Sequence, residues 1–248
     1  MHPLAIPHQR RGTPLPRRPP FPGGLPPTPR PVAYCEAMSP RIRDIPAPRK
    51  NPSLAGPLFR VLWAWPYRFA IAMLHRAGFR PWQLTLLSLA GNVIVAWLLT
   101  TGRYFLPGIL LLPAGLFDIF DGGLARVRGE ASAKGALLDA VNDRISDAVV
   151  FGALFFALIA DGRDGAAALT LSALVVSLLV SHVRAEGEAA GQDMSGGMFQ
   201  RLERYLALMI GLTAPGALVP MLIVLTALGA VTTVQRTATA WRALPRLR

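Results

Sequence analysis

Residues 118–143 read DIFDGGLARVRGEASAKGALLDAVND, and the rest of the chain is organised around them. They place four carboxylates, Asp118, Asp121, Asp139 and Asp143, in a chain that is 52% hydrophobic and 16% charged, so apolar that most of its helices belong in lipid. A carboxylate in such surroundings is costly and as a rule functional. Asp118 and Asp121 are three apart and Asp139 and Asp143 four apart, so each pair shares one face of its own helix. The spacing therefore predicts two helices. The link between them, residues 127–134, has Gly129 and Gly135 near its ends, enough to turn the chain at a membrane surface and bring the two pairs together.

Four converging carboxylates need a cation. Hard oxygen ligands favour magnesium, manganese or calcium over zinc, and two such ions bridging phosphate oxygens are a known route to phosphoryl transfer. Gly122 and Ala125 are small enough to let a helix backbone or a diphosphate approach closely, and Arg126 is a cation aimed at phosphate. The competing reading is helix-end solvation with local ion pairs, for instance Asp143 or Asp147 with Arg144; the clustering of the acids argues against it. Asp147 continues the row one turn beyond Asp143, either supporting the site or pairing with Arg144.

Working outward, the uncharged runs predict spanning helices. Residues 81–102 carry no charge and are long enough to cross a hydrocarbon core of about 30 Å. A second span runs from Tyr104 through the first pair of acids to Arg126, a third from near Gly135 through the second pair to Ala160, and a fourth from Gly165 to Val183. Residues 205–235 are uncharged for 31 positions and contain Ala214-Pro215-Gly216, which divides them into a fifth and a sixth helix. With the N-terminus inside, the outer connections 100–105, 161–165 and 213–219 hold only Arg103 and Arg163 among the basic residues. The positive-inside rule then puts both termini and the carboxylates on the cytoplasmic side of the cell (inner) membrane.

Residues 54–79 mix Trp63, Trp65 and Tyr67 with Arg60, Arg68, His75 and Arg76, the four basic residues falling in one broad sector of a helix. An interfacial amphipathic helix is expected, kinked at Pro66. Residues 1–50 hold nine of the 26 Lys+Arg and 14 of the 23 prolines, a composition that buries no core and predicts a disordered tail. It is either an arm held on anionic headgroups or an extension ahead of a true start at Met38. Cys35 is alone and His2, His8, His75 and His182 are scattered, so neither a disulfide framework nor a zinc site is expected.

The eight positions Asp118, Asp121, Gly122, Ala125, Arg126, Gly135, Asp139 and Asp143 match the D-x2-D-G-x2-A-R-x8-G-x3-D-x3-D signature. By it the chain resembles the CDP-alcohol phosphotransferase family, integral membrane enzymes of phospholipid synthesis. The likeness extends more loosely from Gly78 to Arg236, and Gly78-Phe-Arg-Pro-Trp-Gln-Leu-Thr85 is similar to the family's G-x-T-P-N-Q-x-T, with Trp82 where asparagine is common. The resemblance implies an all-α integral membrane domain over residues 81–240, six transmembrane helices preceded by the interfacial helix, and a homodimer.

It further implies transfer of a phosphatidyl group from a CDP-linked lipid to an acceptor alcohol, with release of CMP and two Mg2+ or Mn2+ ions as cofactor. Asp118, Asp121, Asp139 and Asp143 would hold metal, and Asp143 would be the base. Gly122, Ala125, Arg126, Gln83 and Thr85 would bind the CDP diphosphate. The stretches around Asp143, Arg201-Leu-Glu-Arg204 and Gln235-Arg236 look like the phosphatidylinositol-phosphate synthase branch. An inositol phosphate acceptor, held by Lys134, Arg184, Arg201, Arg204 and Arg236, is what that implies. Glu186 stands where the branch tends to carry a second basic residue, which keeps glycerol phosphate as an alternative acceptor. Outside the family, a metal-dependent prenyltransferase or a divalent-cation transporter would also use intramembrane acids. No nucleic-acid partner is expected; the bilayer is.

Overall fold

The computed structural model describes residue 45 and residues 56–192 and 201–243. The expectation for the tail, Ile45 aside, lies outside the described residues. These form seven helices and no strand: α1 (Gly56–Arg76), α2 (Pro81–Thr100), α3 (Phe105–Arg128), α4 (Ala133–Ala160), α5 (Asp164–Ala189), α6 (Arg201–Thr213) and α7 (Leu218–Ala243).

Local chemistry sets the helix ends. Gly78, Gly102, Gly129, Gly162, Gly191 and Gly216 each follow a helix with positive φ. At Gly129, φ 69°, the left-handed turn lets its N–H and that of Glu130 return to Arg126 and Ala125 carbonyls, closing α3. Gly135 has no such part. It lies in the first turn of α4, where its N–H donates to Oγ of the N-cap Ser132 at 3.1 Å. The turn between the acid-bearing helices is thus made by one glycine and a serine cap. Pro81 opens α2, and the Gln83 side chain accepts from the Arg80 N–H at 2.8 Å.

α2 packs against both α3 and α4, α4 against α5, α5 against α7, α3 against α6, and α6 against α7. The main core gathers Leu99, Leu111, Phe151, Leu154, Leu208 and Leu222, from α2, α3, α4, α6 and α7. A smaller cluster, Ile45, Tyr67, Ile71, Ala72, Leu84, Leu124 and Val127, fixes α1 against α3. Outside, Trp97, Phe105, Phe156 and Trp241 are each more than 60% exposed, an apolar exterior suited to hydrocarbon rather than water.

α2, α3, α5 and α7 are long and apolar enough to cross a membrane. Six helices follow α1, where six spans were expected, but two of them are not long and apolar enough to qualify. α4 carries Asp139, Asp143, Arg144 and Asp147, so the site dilutes its own helix. α6 has 13 residues, roughly 20 Å at the rise of an α-helix.

Small residues allow the closest approaches. A Cβ on Gly108 of α3 would lie 2.7 Å from Thr213 Cγ2 and 2.9 Å from Leu212 Cβ of α6. Gly108→Val is expected to force α3 and α6 apart at a cost of roughly 1–3 kcal/mol. A lowered Tm in detergent is the expected readout, and an unchanged Tm would contradict this packing.

Candidate active site

α3 supplies Asp118 and Asp121 and α4 supplies Asp139, each offering an oxygen within 4.8 Å of the others. Asp121 is 5% exposed and accepts a hydrogen bond from Thr85 Oγ1 of α2 at 2.6 Å. This is why α2, packed against both acid-bearing helices, matters to the site: it anchors a carboxylate that would otherwise be repelled by its neighbours. Asp143, one turn beyond Asp139, stands outside this group of three. Arg201 of α6 reaches over and pairs with both Asp118 and Asp143. The Arg201 guanidinium also lies 5.1 Å from the centre of the Tyr205 ring, and the Tyr205 hydroxyl donates to Asn92 Oδ1 at 3.1 Å.

Deeper in the bundle, Asp147 accepts from Arg204 at 3.1 Å and from Ser177 at 2.6 Å. Its partner is therefore Arg204 rather than Arg144, which turns to the Ala140 and Ser181 carbonyls. Both charges are nearly closed from solvent, so each needs the other.

A cleft of ≈ 370 Å³ opens beside the acids, its lining including Trp82, Thr85, Asp121, Gly122, Ala125, Arg126, Glu130, Gly135 and Asp139. Arg126 donates to the Tyr67 hydroxyl at 3.2 Å. Four of the expected donor-site residues, Thr85, Gly122, Ala125 and Arg126, thus line it. Gln83 differs in that its side chain caps α2.

The five expected acceptor residues divide. Arg184, Arg204 and Glu188 each lie close enough to Arg236 to act on it electrostatically. Arg184 pairs with Glu188 at 2.8 Å, and Arg236 donates to the Val180 carbonyl at 3.1 Å. Arg201 is taken up by the two acids, and Lys134 is exposed in the first turn of α4. Sequence spacing had no way to show the partners of Arg201 or Asp147, because they come from other helices, at least 30 residues away.

The donor set suits a hard divalent cation. All three converging groups are carboxylates, and buried Oδ1 atoms of Asp118 and Asp139 have no hydrogen-bond partner, leaving lone pairs that a cation would satisfy. Thr85 holds Asp121 in place beside them. Thr85→Val is expected to weaken Mn2+ binding about tenfold, the scale of a hydrogen bond to a charged group. Calorimetric titration reads this directly; an unchanged affinity would make the Thr85 contact irrelevant to the cluster.

Over 140 residues the chain is 36% identical to the phosphatidylinositol phosphate synthase of Mycobacteroides abscessus, covering 56% of this chain and 64% of that protein. It is 41% identical over 143 residues to the Corynebacterium glutamicum protein of the same name, covering 56% and 65%. The chain thus spans just under two thirds of the length of these two relatives.

Crystal structures of Mycobacterium tuberculosis phosphatidylinositol phosphate synthase share the fold. With CDP-DAG bound, the likeness has a TM-score of 0.65 at 33% identity over 72% of this chain and 96% of that one. In complex with manganese and citrate, it has a TM-score of 0.65 at 33% identity over 72% and 92%. The model of the CDP-alcohol phosphatidyltransferase family matches residues 79–241, which include every carboxylate of the site and the cleft beside them. With signature, fold and site geometry in agreement, the chain belongs to the CDP-alcohol phosphatidyltransferase family.

Proposed function

We propose that this protein is a membrane transferase of phospholipid synthesis, moving a phosphatidyl group from a CDP-linked lipid to an inositol phosphate and releasing CMP. The observation that carries the reading is the convergence of Asp118, Asp121 and Asp139 beside a cleft that also contains Arg126. Asp118, Asp121 and Asp139 would hold Mg2+ or Mn2+, with Asp143 completing the set for two ions. When bound, such cations neutralise diphosphate charge and stabilise the departing CMP.

The chain's own residues do the rest. Arg126 binds and orients the donor's diphosphate, and Gly122 and Ala125 leave room for it. Asp143 accepts the proton of the acceptor hydroxyl as that oxygen bonds to the lipid-bearing phosphorus and the phosphorus–oxygen bond to CMP breaks. Arg184, Arg204 and Arg236, which lie near one another, meet the acceptor's phosphate; Arg201, beside Asp143, and Lys134 assist at its margin. Alignment and charge neutralisation supply most of the catalysis in such a site.

In this reading all six helices α2–α7 cross the cell membrane, α1 lies in the cytoplasmic interface, and the termini and site face the cytoplasm. The outer connections hold only Arg103 and Arg163 among basic residues, which supports that orientation. The working unit is a homodimer. Glycerol phosphate is the second acceptor to consider, because Arg184 is already tied to Glu188.

Mass spectrometry of lipid products formed from CDP-diacylglycerol tests the acceptor. Offered inositol phosphate, glycerol phosphate, serine and inositol together with Mg2+, the protein is expected to make the inositol phosphate product. A glycerol phosphate product alone would move the acceptor within the family, and no product from any acceptor would contradict the proposal.

A further inference from the structure

Arg126 differs from three other arginines of the site in what it touches. Arg201, Arg204 and Arg184 each face a carboxylate. The hydrogen bond of Arg126 among the described residues goes to a neutral group, the Tyr67 hydroxyl, at 3.2 Å. Its charge is left for an anion in the cleft it lines.

Tyr67 comes from α1, outside the bundle that carries the acids. Exposed residues surround it on that helix, Trp65, Phe69 and Met73 among them, yet Tyr67 is 3% exposed. Its ring sits 6.0 Å from that of Phe120 and packs in the cluster with Ile71 and Leu124. The hydroxyl passes over the backbone of α3 at Gly123, where a Cβ would lie 2.2 Å from Tyr67 Oη and 2.9 Å from Ile71 Cδ1. No residue but glycine fits that approach, and it ends on the guanidinium beside the cleft.

From this geometry we infer that Tyr67 is a positioning residue for the donor site: it restrains the Arg126 guanidinium from behind, so that its remaining N–H groups face the diphosphate of the CDP-linked lipid. An arginine has many rotamers, and fixing one before the ligand arrives removes an ordering cost from binding. A neutral hydroxyl does this without cancelling the charge, as a carboxylate would. The inference rests on the reading of Arg126 given under Proposed function, and it makes α1 part of the donor site.

Tyr67→Phe keeps the ring and removes only the contact. It is expected to raise KM for CDP-diacylglycerol about tenfold while kcat changes less than about twofold, the pattern of a lost interaction made equally in ground and transition states. Arg126→Ala should raise the same KM further, and Tyr67→Phe added to Arg126→Ala should have no additional effect. Calorimetric binding of CDP-diacylglycerol to each variant should follow KM. An unchanged KM in Tyr67→Phe beside a raised one in Arg126→Ala would overturn the role of Tyr67 and leave the donor site standing. Equal effects of Tyr67→Phe with and without Arg126 would also overturn it, since a merely structural tyrosine acts in both backgrounds. An unchanged KM in Arg126→Ala would remove the donor-site reading itself.

Discussion

Asp143→Asn is expected to cut CMP release by roughly 10²–10⁴-fold, the range for loss of a general base, while CDP-diacylglycerol still binds. The argument begins with position. Asp143 shares a helix face with Asp139 but stands outside the three carboxylates whose oxygens converge, and its side chain is 35% exposed against 13% for Asp118. Its side chain is more open to an incoming hydroxyl than that of Asp118. Asparagine matches its shape and still offers Arg201 an acceptor oxygen, so α6 stays in place; what it cannot do is take a proton. Single-turnover kinetics alongside equilibrium binding separates the two effects. Activity near that of the unaltered protein would make the base assignment wrong, and loss of donor binding would assign Asp143 to binding.

Replacing Asp121 with Asn should lower turnover by about three orders of magnitude and abolish Mn2+ binding without weakening the fold. Asp121 is the most enclosed of the three acids, held by Thr85 and facing Asp118 and Asp139. Without a cation, three carboxylates so close repel, so removing one charge costs the bundle nothing and is expected to leave Tm equal or slightly higher. With saturating Mn2+ the unaltered protein should gain stability as the ligand binds its folded state, and the variant should not. A variant that still binds and is stabilised by Mn2+ would take Asp121 out of the cation site. A collapse of Tm in the absence of metal would mean that its bond to Thr85 is structural first.

Much of this arrangement was legible in the residues because it depends on what one helix does alone. Three- and four-residue spacing put each pair of acids on one face, and glycines marked the helix ends. The uncharged run from residue 205 to 235 had to be broken, and Pro215-Gly216 is where α6 and α7 divide. What spacing could not reveal is contact between distant helices. Thr85 meets Asp121, Arg201 meets Asp118 and Asp143, Arg204 meets Asp147, and Tyr67 meets Arg126, each pair coming from different helices. Gln83 is the opposite lesson: a residue of a recognised motif whose side chain serves the start of its own helix. Gly135 is another, expected at a turn and found inside α4, because Ser132 caps that helix first.

The two helices that do not qualify as spans by length and composition differ from the expectation for a related reason. Hydropathy and length describe a helix by itself, whereas α4 and α6 border the site and carry its charges. A helix whose acids are shared with a cation, and whose arginines are neutralised by those acids, need not be apolar throughout. The buried pair Asp147–Arg204, completed by Ser177, shows this balance between α4, α5 and α6.

The most direct test of the account is CMP release by the purified protein in detergent, with CDP-diacylglycerol and inositol phosphate, measured with Mg2+ or Mn2+ and again after chelation. Release that requires both the acceptor and a divalent cation is the predicted result. Release that persists after chelation, or none with any divalent cation present, would contradict it.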